Sequence, residues 1–272
     1  SISGTSGFRM MSSPVSGTIY SDLLAELWTQ GMTGADATGG TANVWTYSTS
    51  GQSWSALTNI STASQTAGAG FLVYVYQDAN NDGDTSDDAD LPVTLSVSGT
   101  ENSSSATVGS IGNGNWALIG NPYYSTIDWD NVTKTYLATS AYVWDSQAGT
   151  PAYVSWNGSA GSLSNGLIAP FQGFWVQASG GTGSVTIETA DKASPNASNF
   201  YRTMQDSTGS MSFSISSGDY SDQTYVSFMN NGQEGIDNSD AYKLLPMSPS
   251  ERVVGISYAE GNGLDINNLP YV

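Results

Sequence analysis

Short apolar runs separated by polar turns recur along the whole chain. This pattern is typical of β-strands joined by tight turns, because successive side chains on a strand alternate between its two faces. One segment departs from it: residues 21–30 place three leucines and Trp28 at helical spacing and predict a short helix. Strands are predicted at residues 8–11, 43–47, 70–76, 92–97, 116–120, 141–144, 153–156, 173–178, 184–188, 211–215, 224–229, 241–245 and 253–258.

The apolar pattern also repeats itself. Five landmarks occur twice in the same order, roughly a hundred residues apart, which is far longer than a solenoid repeat. The pairs are residues 7–15 with 115–123, 43–47 with 142–145, Trp54 with Trp156, 70–74 with 173–177, and 95–97 with 185–187. We therefore expect an all-β protein with two homologous β-sandwich-like modules, residues 1–108 and 109–190, followed by a linker and a third module within residues 191–272.

The third module shows four strand candidates, whereas a β-sandwich usually has about seven. The sequence thus predicts an incomplete module with an exposed strand edge, which proteins normally cover. A strand donated by a neighbouring copy satisfies such an edge through main-chain hydrogen bonds, and residues 1–6 are the candidate donor. The alternative is that the given chain is a cut piece of a longer protein.

Composition narrows the function. The chain has 272 residues, six of them basic, and a formal net charge of −18. Nucleic-acid binding is not expected, because no basic surface exists to neutralise phosphates. Cys and His are absent, which excludes disulfides, zinc sites built on these residues, and nucleophiles activated by His. No apolar run reaches transmembrane length, so membrane insertion is not expected. The low lysine content and the Asn/Thr/Ser/Gly-rich composition favour a processed, secreted chain.

An Asp-rich segment between two predicted strands has the spacing of a calcium loop. Its oxygen-bearing residues occupy the first, third and fifth positions of an EF-type loop, and Gly83 stands at the sixth, where the chain must turn sharply. The usual acidic residue at the twelfth position is replaced by Ala89. A structural calcium ion is predicted, and a solvated acidic hairpin is the alternative. The candidate ligands are Asp78, Asn80, Asp82, Asp84, Asp87 and Asp88, with Asp90 as a further possibility.

Aromatic residues offer two interpretations. Tryptophans that recur in both modules, such as Trp45 and Trp144, favour a shared packing role. Aromatics without an equivalent in the other module are candidates for a glycan-binding platform, and these are Tyr123, Tyr124, Trp129 and Trp175.

Carboxylates are the remaining acid–base groups. A glycosidase needs two of them facing each other across a cleft. The sequence offers Asp128, Asp130 and Glu188 but nothing that pairs them. We therefore expect no enzymatic activity.

Several segments together resemble a known family. Gly-Phe-Arg-Met-Met-Ser-Ser-Pro at residues 7–14, Asp-Leu-Leu at 22–24, Leu-Trp-Thr-Gln-Gly at 27–31, Gly-Asn-Pro-Tyr at 120–123 and Ile-Asp-Trp at 127–129 resemble β-rich repeats of large secreted proteins of the Bacteroidetes and related phyla. Asp-Ala-Tyr-Lys-Leu at 240–244 and Asn-Leu-Pro at 268–270 resemble the module that usually precedes their C-terminal sorting domain.

The resemblance implies export by the type IX secretion system and display at the cell surface, more than any chemistry. Residues 206–208 (Asp-Ser-Thr) also resemble the O-glycosylation signal of such proteins, which makes Ser207 a candidate glycosylation site. The function predicted from the sequence is a structural subunit of a surface layer, adhesin stalk or filament that self-associates through β-strands. The alternative is a calcium-stabilised carbohydrate-binding module of a secreted multidomain protein, with glycans as partners.

Overall fold

The computed structural model describes residues 1–87, 90–146, 151–193, 209–230, 232–247 and 254–271. These residues are almost entirely β, in several separate sheets, which confirms the prediction of an all-β, sandwich-like fold. The first module contains β1 (Gly7–Ser12), α1 (Tyr20–Leu23), β2 (Val44–Ser48), β3 (Ser53–Ala56) and β4 (Gly70–Val75).

The second module supplies the next nine strands and two short 3₁₀ helices, Ser164–Gly166 and Thr189–Asp191. The strands are β5 (Ala106–Ile111), β6 (Trp116–Gly120), β7 (Ile127–Asp128), β8 (Thr133–Thr135), β9 (Ala141–Asp145), β10 (Ala152–Trp156), β11 (Leu167–Ile168), β12 (Gly173–Gln177) and β13 (Gly183–Ile187). β5 pairs with β13, so this module begins at Ala106 or before, a few residues ahead of the predicted boundary.

The third module forms one sheet from β14 (Ser210–Ser217), β15 (Tyr220–Met229), β16 (Ala241–Tyr242), β17 (Ser257–Ala259) and β18 (Asn262–Pro270). Its order is β14-β15-β18-β16, and β17 also pairs with β18. The central strand β18 was not among the predicted strands, so the expectation of a four-stranded module is wrong. Asp265 and Asn268 are buried in β18 beside Leu264 and Ile266, and these buried polar residues hide the strand from a hydrophobicity pattern.

The first two modules share one sheet topology. The sheet order is β1-β4-β2-β3 in the first and β6-β12-β9-β10 in the second, and all neighbours are antiparallel. The register of β1 with β4 also matches that of β6 with β12. Met10 lies opposite Leu72 in the first module, and Leu118 lies opposite Trp175 in the second. Order and register together support the internal duplication.

The two modules pair reciprocally. The Ser12 amide donates to the Phe171 carbonyl at 2.8 Å, and the equivalent Gly120 amide donates to the Gly68 carbonyl at 2.9 Å. Each contact is the counterpart of the other with the modules exchanged, which is the hallmark of an isologous, two-fold interface. The chain is therefore built like a dimer of two similar modules joined in one polypeptide.

Two landmark glycines are explained by this pairing. A Cβ atom added to Gly70 would lie 2.6 Å from the Ile119 carbonyl oxygen, and one added to Gly173 would lie 2.7 Å from the Met11 carbonyl oxygen. Met11 and Ile119 are themselves equivalent, so the same backbone approach occurs twice. A side chain at either glycine would push the modules apart, which accounts for the repeated Gly-Phe pattern.

The predicted equivalence of Trp45 and Trp144 is wrong by two residues. Trp45 lies opposite Leu72, whereas the residue opposite Trp175 is Tyr142. A slip of two residues keeps side chains on the same face of a strand, so the alternation in the sequence cannot detect it.

The other tryptophan pair is also not equivalent. Trp54 pairs with Tyr47 and is 40% exposed, whereas Trp156 is 6% exposed and packs in the second core.

Two further local predictions are wrong. The helix ends at Leu23, and Leu24 and Leu27 enter the first core from turns, so their spacing reflects burial rather than helix. No strand covers residues 92–97, where Val93 forms an isolated bridge with Ile2. Residues 95–97 therefore form no strand equivalent to β13, and the fifth landmark is not repeated in the structure.

Residues 1–6 are used within the chain. The Ile2 and Val93 backbones exchange hydrogen bonds of 2.8 and 3.0 Å, and Ile2 is buried. The Arg9 guanidinium donates to the carbonyls of Ser3 and Thr5. The prediction that this segment is donated to a neighbouring copy is therefore wrong, since its hydrogen bonds and its apolar side chain are already satisfied.

Apolar residues of the described chain form three cores. One fills the second module between the β6-β12-β9-β10 and β5-β13-β8 sheets, and one fills the first module beneath its sheet. The third lies where the sheets of all three modules meet, and it includes Leu72, Trp144, Trp175, Tyr225 and Ile266. The third module is thus docked on the second, and the Tyr242 amide donates to the Tyr142 hydroxyl at 2.8 Å.

Candidate functional site

The acidic loop folds around its first carboxylate. Asp78 accepts the amide of Asp82 on one oxygen at 3.1 Å and the amide of Gly83 on the other at 2.9 Å. Asn80 also accepts the Asp82 amide, and Asp82 accepts that of Asp84. Hydrogen bonds to the ionised form lower the pKa of Asp82 and of Asp84, for Asp84 chiefly through Ser86. These hydrogen bonds hold Asp78, Asn80, Asp82 and Asp84 in one turn.

The base of the loop is closed by a buried carboxylate. Asp90 accepts the amides of Ala79 at 3.1 Å and Asp87 at 3.3 Å. Among the described residues no group of three or more acidic side chains is close enough to hold a metal ion. Asp88 lies outside the described residues, and calcium binding stays a prediction.

Three of the four predicted sugar-binding aromatics are buried. Tyr123 and Trp129 are 0% exposed and Trp175 is 7% exposed, so their ring faces cannot meet a ligand. The Tyr123 hydroxyl donates to the carbonyls of Ser104 and Ile187, both at 3.0 Å. These rings build the core and the module interface, and the prediction of a platform is wrong for them.

Trp129 has a full set of partners. Its indole N–H donates to the Thr139 carbonyl at 2.6 Å, and its ring packs edge-on against Phe174. The Lys134 ammonium lies 4.4 Å from the ring centroid. Tyr124 is the exposed member of the predicted set, at 67%, and its ring packs edge-on against Phe171.

The acidic residues considered for catalysis have structural partners. Asp128 accepts the amide of Asp130, and Asp130 accepts the indole N–H of Trp156 at 2.9 Å. Burial raises the pKa of Asp130. Glu188 forms a reciprocal capping box with Asp191 at a 3₁₀ helix. Asp128 and Glu188 thus fix the local backbone, and Asp130 holds the Trp156 ring in place.

A buried charged cluster was missed by the sequence interpretation. The Lys243 ammonium lies 2.7 Å from an oxygen of Asp222 and 2.8 Å from an oxygen of Asp265. The other oxygen of Asp265 accepts a hydrogen bond from the Ser155 hydroxyl of the second module. The side chains of Lys243, Asp222 and Asp265 are 6%, 13% and 5% exposed. We call these three residues the Lys243 triad.

Burial and charge compete in the triad. Burial raises the pKa of Asp265, and the nearby Lys243 opposes that rise. Burial lowers the pKa of Lys243, but the two carboxylates outweigh it and the net shift is upward. A signal for this cluster does exist in the sequence: Lys243 is one of only six basic residues and stands within an apolar run. Lysine is almost never fully buried without a partner.

Two strand edges are exposed. Met211, Phe213 and Ile215 alternate along β14 and are 48%, 53% and 45% exposed. All four residues of β3 are exposed, including Trp54. In the described part of the chain, no strand pairs with the outer side of β14 or of β3.

Ser207 lies outside the described residues, so the structure does not bear on the predicted glycosylation. No helix among the described residues is long and apolar enough to cross a membrane. Comparisons with protein-family models, with curated proteins and with solved structures find no match to this chain. The resemblance to secreted repeat modules therefore stays a prediction.

Proposed function

We propose that the protein is a non-catalytic structural subunit of an extracellular or cell-surface assembly, and that its copies associate through exposed strand edges. The observation that carries the proposal is the edge strand β14, which presents three large apolar side chains to solvent. The lack of Cys and His and the resemblance to exported repeat modules support the extracellular, non-catalytic part.

β14 lacks the features that normally protect an edge. Natural edge strands carry charged residues, prolines or bulges that prevent pairing with another chain. β14 consists of Ser-Met-Ser-Phe-Ser-Ile-Ser-Ser, with no charge and no proline, and its register with β15 is regular over all eight residues. A long, regular and apolar edge of this kind is suited to pairing with a further strand.

The stripe on β14 is also self-complementary. If two copies pair antiparallel about Phe213, Phe213 faces its own counterpart and Met211 faces Ile215, all on one face of the joined sheet. Aromatic and aliphatic cross-strand pairs of this type each contribute roughly 0.2–1 kcal/mol in addition to the main-chain hydrogen bonds. A second copy is therefore the partner that fits.

A single contact of this kind produces only a pair, because an isologous interface closes on itself. An open assembly needs a second contact at another place. β3 provides it, since it lies at the edge of a different sheet and consists of uncharged, exposed residues around Trp54. Alternating β14 and β3 contacts would build a filament or layer.

Charge sets the conditions for association. Copies with a net charge of −18 repel one another, and the two proposed edges carry no charge. Salt screens repulsion at distances beyond about 10 Å at 0.1 M ionic strength. We expect association to strengthen as salt rises, whereas ion pairs between subunits would give the opposite trend.

Sedimentation velocity on edge variants tests the proposal. Phe213→Lys puts a charge into the β14 contact and Trp54→Lys puts one into the β3 contact. We expect each single variant to stop at pairs and the double variant to be monomeric. Leu245→Lys makes the same charge change at an exposed site off both edges and should assemble like the unaltered protein. An unaltered protein that stays monomeric, or edge variants that assemble normally, would contradict the proposal.

We also propose that the acidic loop binds one structural calcium ion through Asp78, Asn80, Asp82 and Asp84. The spacing of these residues along one tight turn supports this, since a hard cation requires several oxygens on one side of a loop. Their acidic side chains are too far apart in the structure to hold an ion, so binding would draw them together. The ion would offset the mutual repulsion of the carboxylates.

Chelation is expected to lower the melting temperature. Removal of a ligand present at about 100 times its Kd costs about 2.7 kcal/mol of stability. A chelator titration followed by calorimetry measures the shift, and Asp82→Asn/Asp84→Asn should abolish it. Glu26→Gln, an exposed carboxylate elsewhere, should keep it. Identical melting with calcium and with chelator would rule out the site.

A further inference from the structure

We propose that Lys243 and Asp265 condense into an intramolecular isopeptide bond, with Asp222 as the proton carrier. This covalent modification is independent of the proposed assembly and concerns the inner side of the third sheet.

The reacting side chains are already in contact. The Lys243 nitrogen lies 2.8 Å from Oδ1 of Asp265, so the amine is within reach of the carboxyl carbon that this oxygen is bonded to. Productive attack requires reacting atoms at about 3–3.5 Å with fixed orientation. The backbone holds the pair in place, because the Lys243 amide donates to the Gly263 carbonyl at 3.0 Å and Asp265 lies within β18.

Burial acts on both groups toward the neutral forms that must react, whereas the two carboxylates raise the pKa of Lys243 and hold it as an ammonium. The amine is therefore formed by transfer of the ammonium proton to a carboxylate inside the cluster. Lys243 and Asp265 are 6% and 5% exposed, and two carboxylates share one ammonium, so the cluster carries an excess of negative charge in a site with little water. Desolvation disfavours charged groups, and a proton moving from the ammonium to a carboxylate yields an amine and an acid. The upward shift of the Asp265 pKa through burial acts in the same direction.

The other two groups have distinct roles. The Ser155 hydroxyl donates to Oδ2 of Asp265 and so polarises the carboxyl group toward attack. Asp222 contacts the Lys243 nitrogen at 2.7 Å and accepts the Gly255 amide at 2.9 Å on its other oxygen. It is therefore held in position to take a proton from the amine and to return it to the leaving oxygen.

The reaction balances without any external reagent. The neutral Lys243 amine attacks the carboxyl carbon of protonated Asp265, and Asp222 takes the proton that the nitrogen loses. The tetrahedral intermediate collapses with cleavage of a carbon–oxygen bond, and the leaving hydroxyl departs as water with the proton from Asp222. The net change is the loss of one water molecule, with no change in oxidation state.

Mass spectrometry of the purified full chain decides the matter. We expect the intact protein to weigh less than its sequence by one water molecule, and a digest to contain a branched peptide that joins Lys243 to Asp265. A chain with the full sequence mass and an unmodified Lys243 peptide would overturn the proposal.

Variants test the individual roles. Asp265→Asn should still form the bond but lose ammonia in place of water, whereas Lys243→Arg should restore the full sequence mass. Asp222→Asn should leave Lys243 free, and a bond formed at the normal extent in that variant would refute the role of Asp222. Circular dichroism of each variant confirms that the sheet is formed. If a variant does not fold, the intact mass of the unaltered chain still tests whether the bond forms.

Discussion

Alanine at Gly70 or at Gly173 is expected to destabilise the protein by a similar amount at both positions, about 1–3 kcal/mol, as typical for overpacked sites. The added methyl group would lie 2.6 Å from the Ile119 carbonyl oxygen in one case and 2.7 Å from the Met11 carbonyl oxygen in the other. Both obstacles are backbone atoms, so no rotamer change relieves the contact. Urea unfolding measures the loss.

Gly39→Ala is the control for these two variants. No atom lies within 4 Å of the position that its Cβ would occupy, so its effect should be small. Similar losses at Gly70 and Gly173 would support the reciprocal pairing of the two modules. A loss at one site and none at the other would show that the two interfaces are not equivalent.

Trp129→Ala is expected to cost about 3–5 kcal/mol, the usual range for removing a large aromatic from a core. The indole is 0% exposed and loses its hydrogen bond to Thr139, its contact with Phe174 and the Lys134 ammonium above its ring. Thermal and urea unfolding measure the effect.

Tyr124→Ala provides the contrast, because this ring is 67% exposed and its loss should leave stability nearly unchanged. The pair separates the two interpretations of the aromatic residues. A Trp129→Ala variant that keeps full stability but loses binding on a glycan array would restore the carbohydrate-binding interpretation.

The sequence predicted the repeated strands well because their signal is local. β1, β2, β4, β6, β9, β10 and β12 all coincide with apolar runs bounded by turn residues. The equivalence of Gly70 and Gly173 in the two modules was also predicted by the repeat. What the repeat could not show was that the two copies pack against each other, since that contact is made by backbone atoms between distant segments.

The wrong strand and helix predictions also result from contacts between distant segments of the chain. β18 carries buried polar residues whose partners come from elsewhere in the chain: the Asn268 amide donates to Asp240, and Asp265 binds Lys243. A hydrophobicity pattern cannot anticipate polar burial that depends on distant partners. Leu24 and Leu27 show the converse, because apolar residues in turns reached the core and imitated a longer helix.

The candidate sites also differ in whether their residues lie close together in the sequence. The spacing of Asp78, Asn80 and Asp82 is a local property, and the structure shows that turn. The Lys243 triad combines three strand regions, so nothing within a short window predicts it. Exposure of β14 likewise depends on which strands flank it, and only the sheet order shows that its apolar residues lie at an edge.

Hydrogen exchange of the β14 amides at increasing protein concentration tests the central claim most directly. If copies pair through this edge, amides within Ser210–Ser217 gain protection as concentration and salt rise, while those of the central strand β18 do not change. Phe213→Lys should remove the gain. If the protein assembles and the exchange of β14 stays constant, or if β14 exchanges identically at all concentrations in a monomeric protein, the proposed edge contact is contradicted.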